Sequence, residues 1–130
     1  MKKIILLAGL FIASLGVFAG QYSLESSSSN PGYQDLKTYT TPITFCNQSV
    51  TLLVMVEGRG DKVGSFAHIS YQCCPSNRIV SQSCTNVEPW VYDQKTITAN
   101  GKFVMTTSAT IASYGSTSYG LAQAKAFIYY

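Results

Sequence analysis

Apolar and polar residues alternate with a period of two along most of this chain, which is the pattern of β-strands with one buried face. In the segment 103–111, every second position is Phe, Met, Thr, Ala or Ile, and Thr or Ser fill most of the positions between. The segment 39–46 alternates too, but Pro42 cannot donate to a ladder, which predicts an edge strand or a bulge. The segment 50–56 is apolar on both faces, which is typical of a strand inside a sandwich.

Segments rich in glycine, asparagine and serine separate these strands. The stretch GRGDKVG at 58–64 predicts a hairpin loop, and Asn100-Gly101 predicts a second hairpin because both residues tolerate positive φ. A loop at 113–120 precedes a last strand at 122–130, for which the alanines leave a helix as the alternative. About seven short strands predict an all-β fold. We expect a small antiparallel β-sandwich, immunoglobulin-like or jelly-roll-like.

The N-terminal segment has the features of a secretory signal peptide. A basic start, Met1-Lys2-Lys3, precedes an uncharged apolar run over 4–18, and the small residue Ala19 follows. A membrane anchor is the alternative, but the run is shorter than the roughly 20 residues that span a bilayer. We therefore expect cleavage after Ala19 and a secreted or periplasmic protein.

This interpretation divides the chain into three segments. Residues 1–19 form the signal peptide, and residues 37–130 form a single β domain. The segment 20–36 between them contains SSSSNPGY, a composition typical of a linker, so we expect a flexible N-terminal arm.

The low net charge argues against nucleic acid as a partner. Loss of Lys2 and Lys3 reduces nine basic residues to seven against six acidic ones, which leaves a net charge of about +1. Nucleic-acid binding requires a clustered basic face, whereas these basic residues are scattered. No apolar stretch after Ala19 is long enough to cross a membrane.

The chain contains four cysteines, at positions 46, 73, 74 and 84. An even number in an exported chain indicates disulfides, and four cysteines allow three pairings. Adjacent strand residues point to opposite faces, so we expect Cys73 and Cys74 to have separate partners, with Cys46 joined to one and Cys84 to the other. A zinc site with His68 is the alternative, but the spacing matches no familiar ligand pattern. We expect neither metal nor cofactor.

Catalytic chemistry has little support in the sequence. His68 is the single histidine, and no Ser-His-Asp arrangement with a nucleophile elbow is present. Glu88 and Asp93 flank Trp90 and could serve as the acid and base of a glycosidase-like hydrolase. We predict a binding protein, not an enzyme, and keep the exported hydrolase as the alternative.

Two loops carry the candidate contact residues. The tripeptide Arg59-Gly60-Asp61 resembles the integrin-binding RGD sequence of host adhesion proteins, in which Arg and Asp project apart from an exposed turn. The segment 113–120 repeats Ser-Tyr-Gly, and its Tyr114 and Tyr119 lie among small residues, a composition typical of binding loops.

A further resemblance involves three segments, Asn30–Tyr33, Gly58–Gly60 and Glu88–Trp90. Their order and rough spacing resemble the three loops of chagasin-type cysteine-protease inhibitors, which insert those loops from an immunoglobulin-like sandwich into a protease cleft. The prediction is an exported binding domain that contacts a protein or carbohydrate ligand through loops 57–64 and 113–120, with Trp90 as a further candidate; a protease-inhibitor-like sandwich is the other alternative.

Overall fold

The computed structural model describes residues 18–60, 62–85, 88–112 and 120–130. Two antiparallel sheets of four strands each stack as a β-sandwich, which confirms the all-β prediction with eight strands instead of about seven. The strands are β1 (Gln21–Ser28), β2 (Gln34–Thr40), β3 (Phe45–Arg59), β4 (Val63–Tyr71), β5 (Arg78–Cys84), β6 (Glu88–Gly101), β7 (Phe103–Ile111) and β8 (Leu121–Tyr129). Within these ranges no helix is long and apolar enough to cross a bilayer.

Sheet A has the strand order β1-β8-β3-β6, and sheet B has the order β2-β7-β4-β5. The main core lies between them, and sheet A supplies small and branched side chains such as Ala124, Ala126 and Val54. Both sheets also supply large side chains: Phe45 and Leu52 come from sheet A, and Phe103 comes from sheet B, where its ring stacks on Tyr71 with the centroids 4.8 Å apart. Large and small residues mixed on both inner faces let the two sheets interdigitate.

The segment 20–36 differs from the flexible arm that its composition predicts. β1 pairs with β8 along its whole length, from Gln21 opposite Tyr129 to Ser28 opposite Ala122. The serines alternate between buried and exposed positions, which is a strand pattern in polar residues. They are tolerated inside because their hydroxyls are satisfied: Ser26 Oγ lies 2.7 Å from Thr107 Oγ1, and Ser28 Oγ donates to the Tyr33 carbonyl over 2.8 Å.

Both predicted turns form, but the prediction that they are hairpins is wrong. β3 and β6 belong to one sheet and β4 and β7 to the other, so each turn carries the chain from one sheet to the other instead of joining two paired strands. β3 continues through Arg59 and β4 begins at Val63, so residues 60–62 alone connect them. Gly60 has φ of 80° and Lys62 has φ of 54°. At the second turn Gly101 has φ of 120°, which a residue with a Cβ would adopt only under strain.

The cysteines depart from the predicted pairings. No Sγ–Sγ bond joins any of the four, all of which the structure describes. Cys84 lies opposite Ser65 at the far end of β5 from the turn that holds Cys73 and Cys74. Six strand residues separate these positions by about 20 Å, well beyond the Cα separation of a disulfide. Because β4 ends at Tyr71, Cys73 and Cys74 are turn residues, and strand alternation does not separate their side chains.

His68 belongs to the outer face of sheet B, where its ring stacks on Phe66 at 5.6 Å and 4°. Its Nδ1 is buried and has no hydrogen-bond partner in the described part of the chain. Burial lowers the pKa of His68 below its ordinary value of 6.5, and the positive charge of Arg78 lowers it further. Nowhere in the described ranges do three His, Cys, Asp or Glu side chains group as metal ligands.

The lowered pKa of His68 predicts a loss of stability in mild acid. The folded state holds the His68 proton less tightly than the unfolded state, so this contribution is complete above the unfolded pKa and declines as the pH falls below it. We expect the free energy of unfolding to be smaller at about pH 5.5 than at about pH 7.5, and His68→Gln to reduce that difference. Urea unfolding at both pH values measures this difference in the free energy of unfolding. An equal difference in the variant and in the parent protein would show that His68 does not cause it.

Candidate functional site

One end of the sandwich collects the loops that the sequence marks as candidates. A row of paired residues crosses sheet A there, from Ser28 through Ala122 and Gly58 to Glu88. The β1–β2 turn, the β3–β4 connection and the start of β6 therefore meet at one end, which we call the loop end. Backbone hydrogen bonds tie the end of β7 to it: Gly32 N donates to Ile111 O, and Ala112 N donates to Lys62 O.

The predicted contact residues divide into two groups. Arg59, Gly60 and Trp90 lie at the loop end. Asp61, Tyr114 and Tyr119 fall outside the described residues. The segment 113–119 connects β7 to β8, and β7 ends at the loop end.

A register shift brings Trp90 beside Glu57. Val56 pairs with Val91 and Gly58 pairs with Glu88, so two β6 residues stand opposite the single residue Glu57. This is the arrangement of a β-bulge, which redirects side chains at the end of a strand. Val56 belongs to the core, and Glu57 therefore points to the outer face of sheet A.

Glu57 and Arg59 form an ion pair on that outer face. Arg59 Nε lies 3.0 Å from Glu57 Oε1, and Arg59 Nη2 donates to Oε2 over 3.4 Å. The Glu57 side chain is 2% exposed and that of Arg59 is 48% exposed. The RGD resemblance implies an arginine that projects from the loop tip, whereas Arg59 is the last residue of β3 and folds back on Glu57.

Trp90 packs on the outer face of sheet A against Leu53 and Met55, and only 8% of it is exposed. The Lys125 ammonium lies 5.3 Å from the centroid of the Trp90 ring, within the range of a cation–π interaction. The same ammonium lies 3.7 Å from Glu25 Oε1, so Lys125 joins the indole to the β1 edge.

Among the described residues of this region, three polar atoms are buried without a hydrogen bond. They are Trp90 Nε1, Gln123 Oε1 and Glu57 Oε1, the last of which has the Arg59 cation close by but at a poor angle for a hydrogen bond. Such atoms are rare in folded proteins and call for an explanation. We call the set Glu57, Arg59, Trp90, Gln123 and Lys125 the corner site.

Aromatic residues extend the corner site along the same sheet face. Phe127 and Tyr129 alternate with core alanine and isoleucine on β8, and their rings lie 5.9 Å apart. Burial raises the pKa of Tyr129. Tyr92 stands opposite Met55 on β6 and is 54% exposed.

The carboxylates that the hydrolase alternative requires lie apart. Asp93 accepts a hydrogen bond from the Ser81 backbone amide over 3.1 Å, on the side of β6 that faces sheet B. Glu88 lies five residues away along β6, about 16 Å at the usual rise per strand residue. This exceeds the carboxylate separation of both retaining and inverting glycosidases.

Sequence reasoning missed Glu57 as a partner of Arg59, and it missed Gln123 and Lys125 entirely. A signal was present in β8. In LAQAKAFIY, Gln123 and Lys125 interrupt an apolar strand, yet they are 8% and 7% exposed. Buried polar residues in a central strand mark a face with a polar function.

No protein-family model matches this sequence, and no curated protein matches it. Among solved structures, the chain is similar to TmCBM61 in complex with beta-1,4-galactotriose (10% identity, 90% of this chain and 92% of that chain, TM-score 0.44). It is also similar to Aeromonas hydrophila PliG, a periplasmic inhibitor of g-type lysozyme (15% identity, 88% of this chain and 92% of that chain, TM-score 0.39). A third is apo BiXyn10A CBM1 (19% identity, TM-score 0.35), of which the chain spans 62%. Identities and TM-scores this low carry no functional argument.

Proposed function

We propose that this chain is an exported carbohydrate-binding domain that holds its ligand at the corner site. One observation carries the proposal: the buried indole N–H of Trp90 and the amide oxygen of Gln123 have no hydrogen-bond partner in the part of the chain that the structure describes. They lie beside the Glu57–Arg59 ion pair, at the loop end. A sugar hydroxyl both donates and accepts, so it would satisfy this donor and these acceptors together once a movement of the covering side chains opens the buried atoms to the ligand.

The surroundings of the corner site favour the same ligand class. Arg59 is half exposed, and its guanidinium can donate further hydrogen bonds to hydroxyl oxygens. Tyr92 offers an exposed ring on the same sheet face, against which the apolar face of a sugar can pack.

Export is part of the proposal and is compatible with the fold. Gly20 donates to Tyr130 O over 2.7 Å and accepts from Tyr130 N over 3.0 Å, and β1 begins at the next residue. Cleavage after Ala19 would therefore leave the β1–β8 pairing whole.

Replacing Trp90 by Phe tests the proposal because it keeps a ring and removes the N–H. We expect glycan affinity to fall about five- to tenfold, the effect of one lost hydrogen bond, and Gln123→Met to have a similar effect. The measurement is a glycan-array screen of the full-length protein, followed by calorimetry with the best ligand. Tyr33→Phe, which removes a hydroxyl at an exposed loop-end residue outside the corner site, is the matched control.

Two results would refute glycan binding at the corner site. One is the absence of retained glycan in the screen. The other is unchanged affinity in both corner variants while urea unfolding confirms that they fold.

A second candidate function rests on a different observation at the same end. Asn30–Tyr33, Gly58–Gly60 and Glu88–Trp90 lie together at the loop end, as the inhibitor resemblance requires, and Tyr33 is 54% exposed. Inhibition of a cysteine protease that Tyr33→Ala abolishes and Trp90→Phe leaves intact would support this function over glycan binding.

A further inference from the structure

The β4–β5 turn, at the opposite end of the sandwich from the corner site, brings two thiols into contact. Cys73 Sγ and Cys74 Sγ lie 3.0 Å apart, and both residues are exposed. The turn is held by two backbone hydrogen bonds, from Cys74 N to Tyr71 O and from Asn77 N to Cys74 O. The contact with the Cys73 thiol raises the pKa of Cys74.

The other cysteines are less suitable partners. Cys84 is buried in the core at the far end of β5. Cys46 is exposed on β3, opposite Asn100 and at the same end as the turn, so it is the one competitor for either thiol. The neighbouring sulfurs are already in contact.

We propose that Cys73 and Cys74 are a self-contained, reversible redox site that closes into a vicinal disulfide. A disulfide compound, small or protein-borne, supplies the oxidising equivalent. The Cys73 thiolate attacks one sulfur of that compound, forms a mixed disulfide and releases one thiol. The Cys74 thiol then loses its proton and attacks Cys73 Sγ, which forms the Cys73–Cys74 bond and releases the second thiol. Two protein thiols are oxidised and one external disulfide is reduced.

Geometry makes this bond labile. Consecutive Cα atoms are about 3.8 Å apart, less than the 4.4–6.8 Å usual for disulfides. A strained, exposed disulfide is reduced readily and behaves as a switch, unlike a buried structural crosslink. The turn tolerates closure better than a strand would, because its backbone is not held in a ladder.

The redox site borders a cleft of about 290 Å³. The end of β4 and the turn contribute Tyr71, Gln72 and Cys73 to its lining, and the β6–β7 connection contributes Asn100, Gly101 and Lys102. Because Cys73 lines the cleft, bond formation with Cys74 changes this wall. We therefore expect the amide resonances of Asn100, Gly101 and Lys102 to shift between the two redox states.

Tryptic mapping tests the site directly, because cleavage after Arg59, Lys62 and Arg78 isolates the pair in the peptide 63–78. Cys46 falls in the peptide 38–59 and Cys84 in the peptide 79–95. The full-length protein is treated under native conditions with oxidised glutathione, alkylated and digested. We expect the peptide 63–78 to be two hydrogens lighter, without alkyl groups and without a link to another peptide. Excess reduced glutathione should restore two alkylation sites.

Cys74→Ser is the matched control, because it removes the resolving thiol, and it should yield a stable glutathione adduct on Cys73 in place of the ring. A covalent link between the peptides 38–59 and 63–78 would overturn the proposal. Glutathione adducts that persist on both Cys73 and Cys74 of the parent protein would overturn it too.

Discussion

Replacing Phe103 by Ala is expected to lower the free energy of unfolding by about 4 kcal/mol, the cost of a large cavity in a packed core. Phe103 is fully buried between the sheets. Its ring stacks on Tyr71 at 4.8 Å and tilts against Phe45 at 5.5 Å, so the substitution removes contacts in both sheets. Because a small domain is stable by only about 5–15 kcal/mol, the variant would have little stability left.

Urea unfolding, followed by the fluorescence of Trp90, measures the effect. Leu36→Ala is the control, since Leu36 is 56% exposed on β2 and its truncation should cost less than about 0.5 kcal/mol. Similar losses in the two variants would show that Phe103 does not anchor the core.

Replacing Arg59 by Ala is expected to lower the free energy of unfolding by about 2 kcal/mol, because it leaves the buried carboxylate of Glu57 without its cation. The expected loss is smaller than for a fully buried pair, since half of Arg59 is in solvent. The double variant Arg59→Ala/Glu57→Gln should recover part of the loss, because the uncompensated charge is then gone.

Lys37→Ala is a matched control, since Lys37 also pairs with a carboxylate two residues before it, Asp35, over 3.3 Å. That pair is more exposed, so we expect a loss of less than about 1 kcal/mol. Equal losses for Arg59→Ala and Lys37→Ala in urea unfolding would show that burial of Glu57 adds nothing to the pair.

The strands with clear apolar patterns were predictable from the sequence. The two-sided apolar run of 50–56 forms the middle of β3, which lies between β8 and β6. The alternating segment 103–111 coincides with β7, and Asn100-Gly101 ends β6. In these segments local pattern and tertiary position agree, which is why a single sequence reveals them.

The N-terminal strand was not predictable from composition. Four consecutive serines resemble a linker, and their place in β1 depends on hydroxyl partners such as Thr107, 81 residues away. The cysteine pairing failed for a related reason. It assumed that β4 reaches Cys74, whereas the strand ends at Tyr71 and the following residues turn.

The corner site was partly predictable. Arg59 and Trp90 were recognisable as unusual residues, but their common neighbour Glu57 depends on a register shift between β3 and β6. Gln123 and Lys125 come from a strand more than 60 residues further along the chain than Glu57. Their burial is a property of the assembled sheet and not of the sequence around them.

The order of strands in sheet A has a consequence for the timing of folding. β8 lies between β1 and β3, so all the partners of β1 and one of the two neighbours of β3 are synthesised after residue 120. Pairings this distant in sequence form slowly, because the chain entropy of a long closure must be overcome first. Until β8 is synthesised, sheet A therefore lacks the strand that joins β1 to β3. For the proposed export such a delay is an advantage, because a chain that has not finished folding can still pass through a translocation channel.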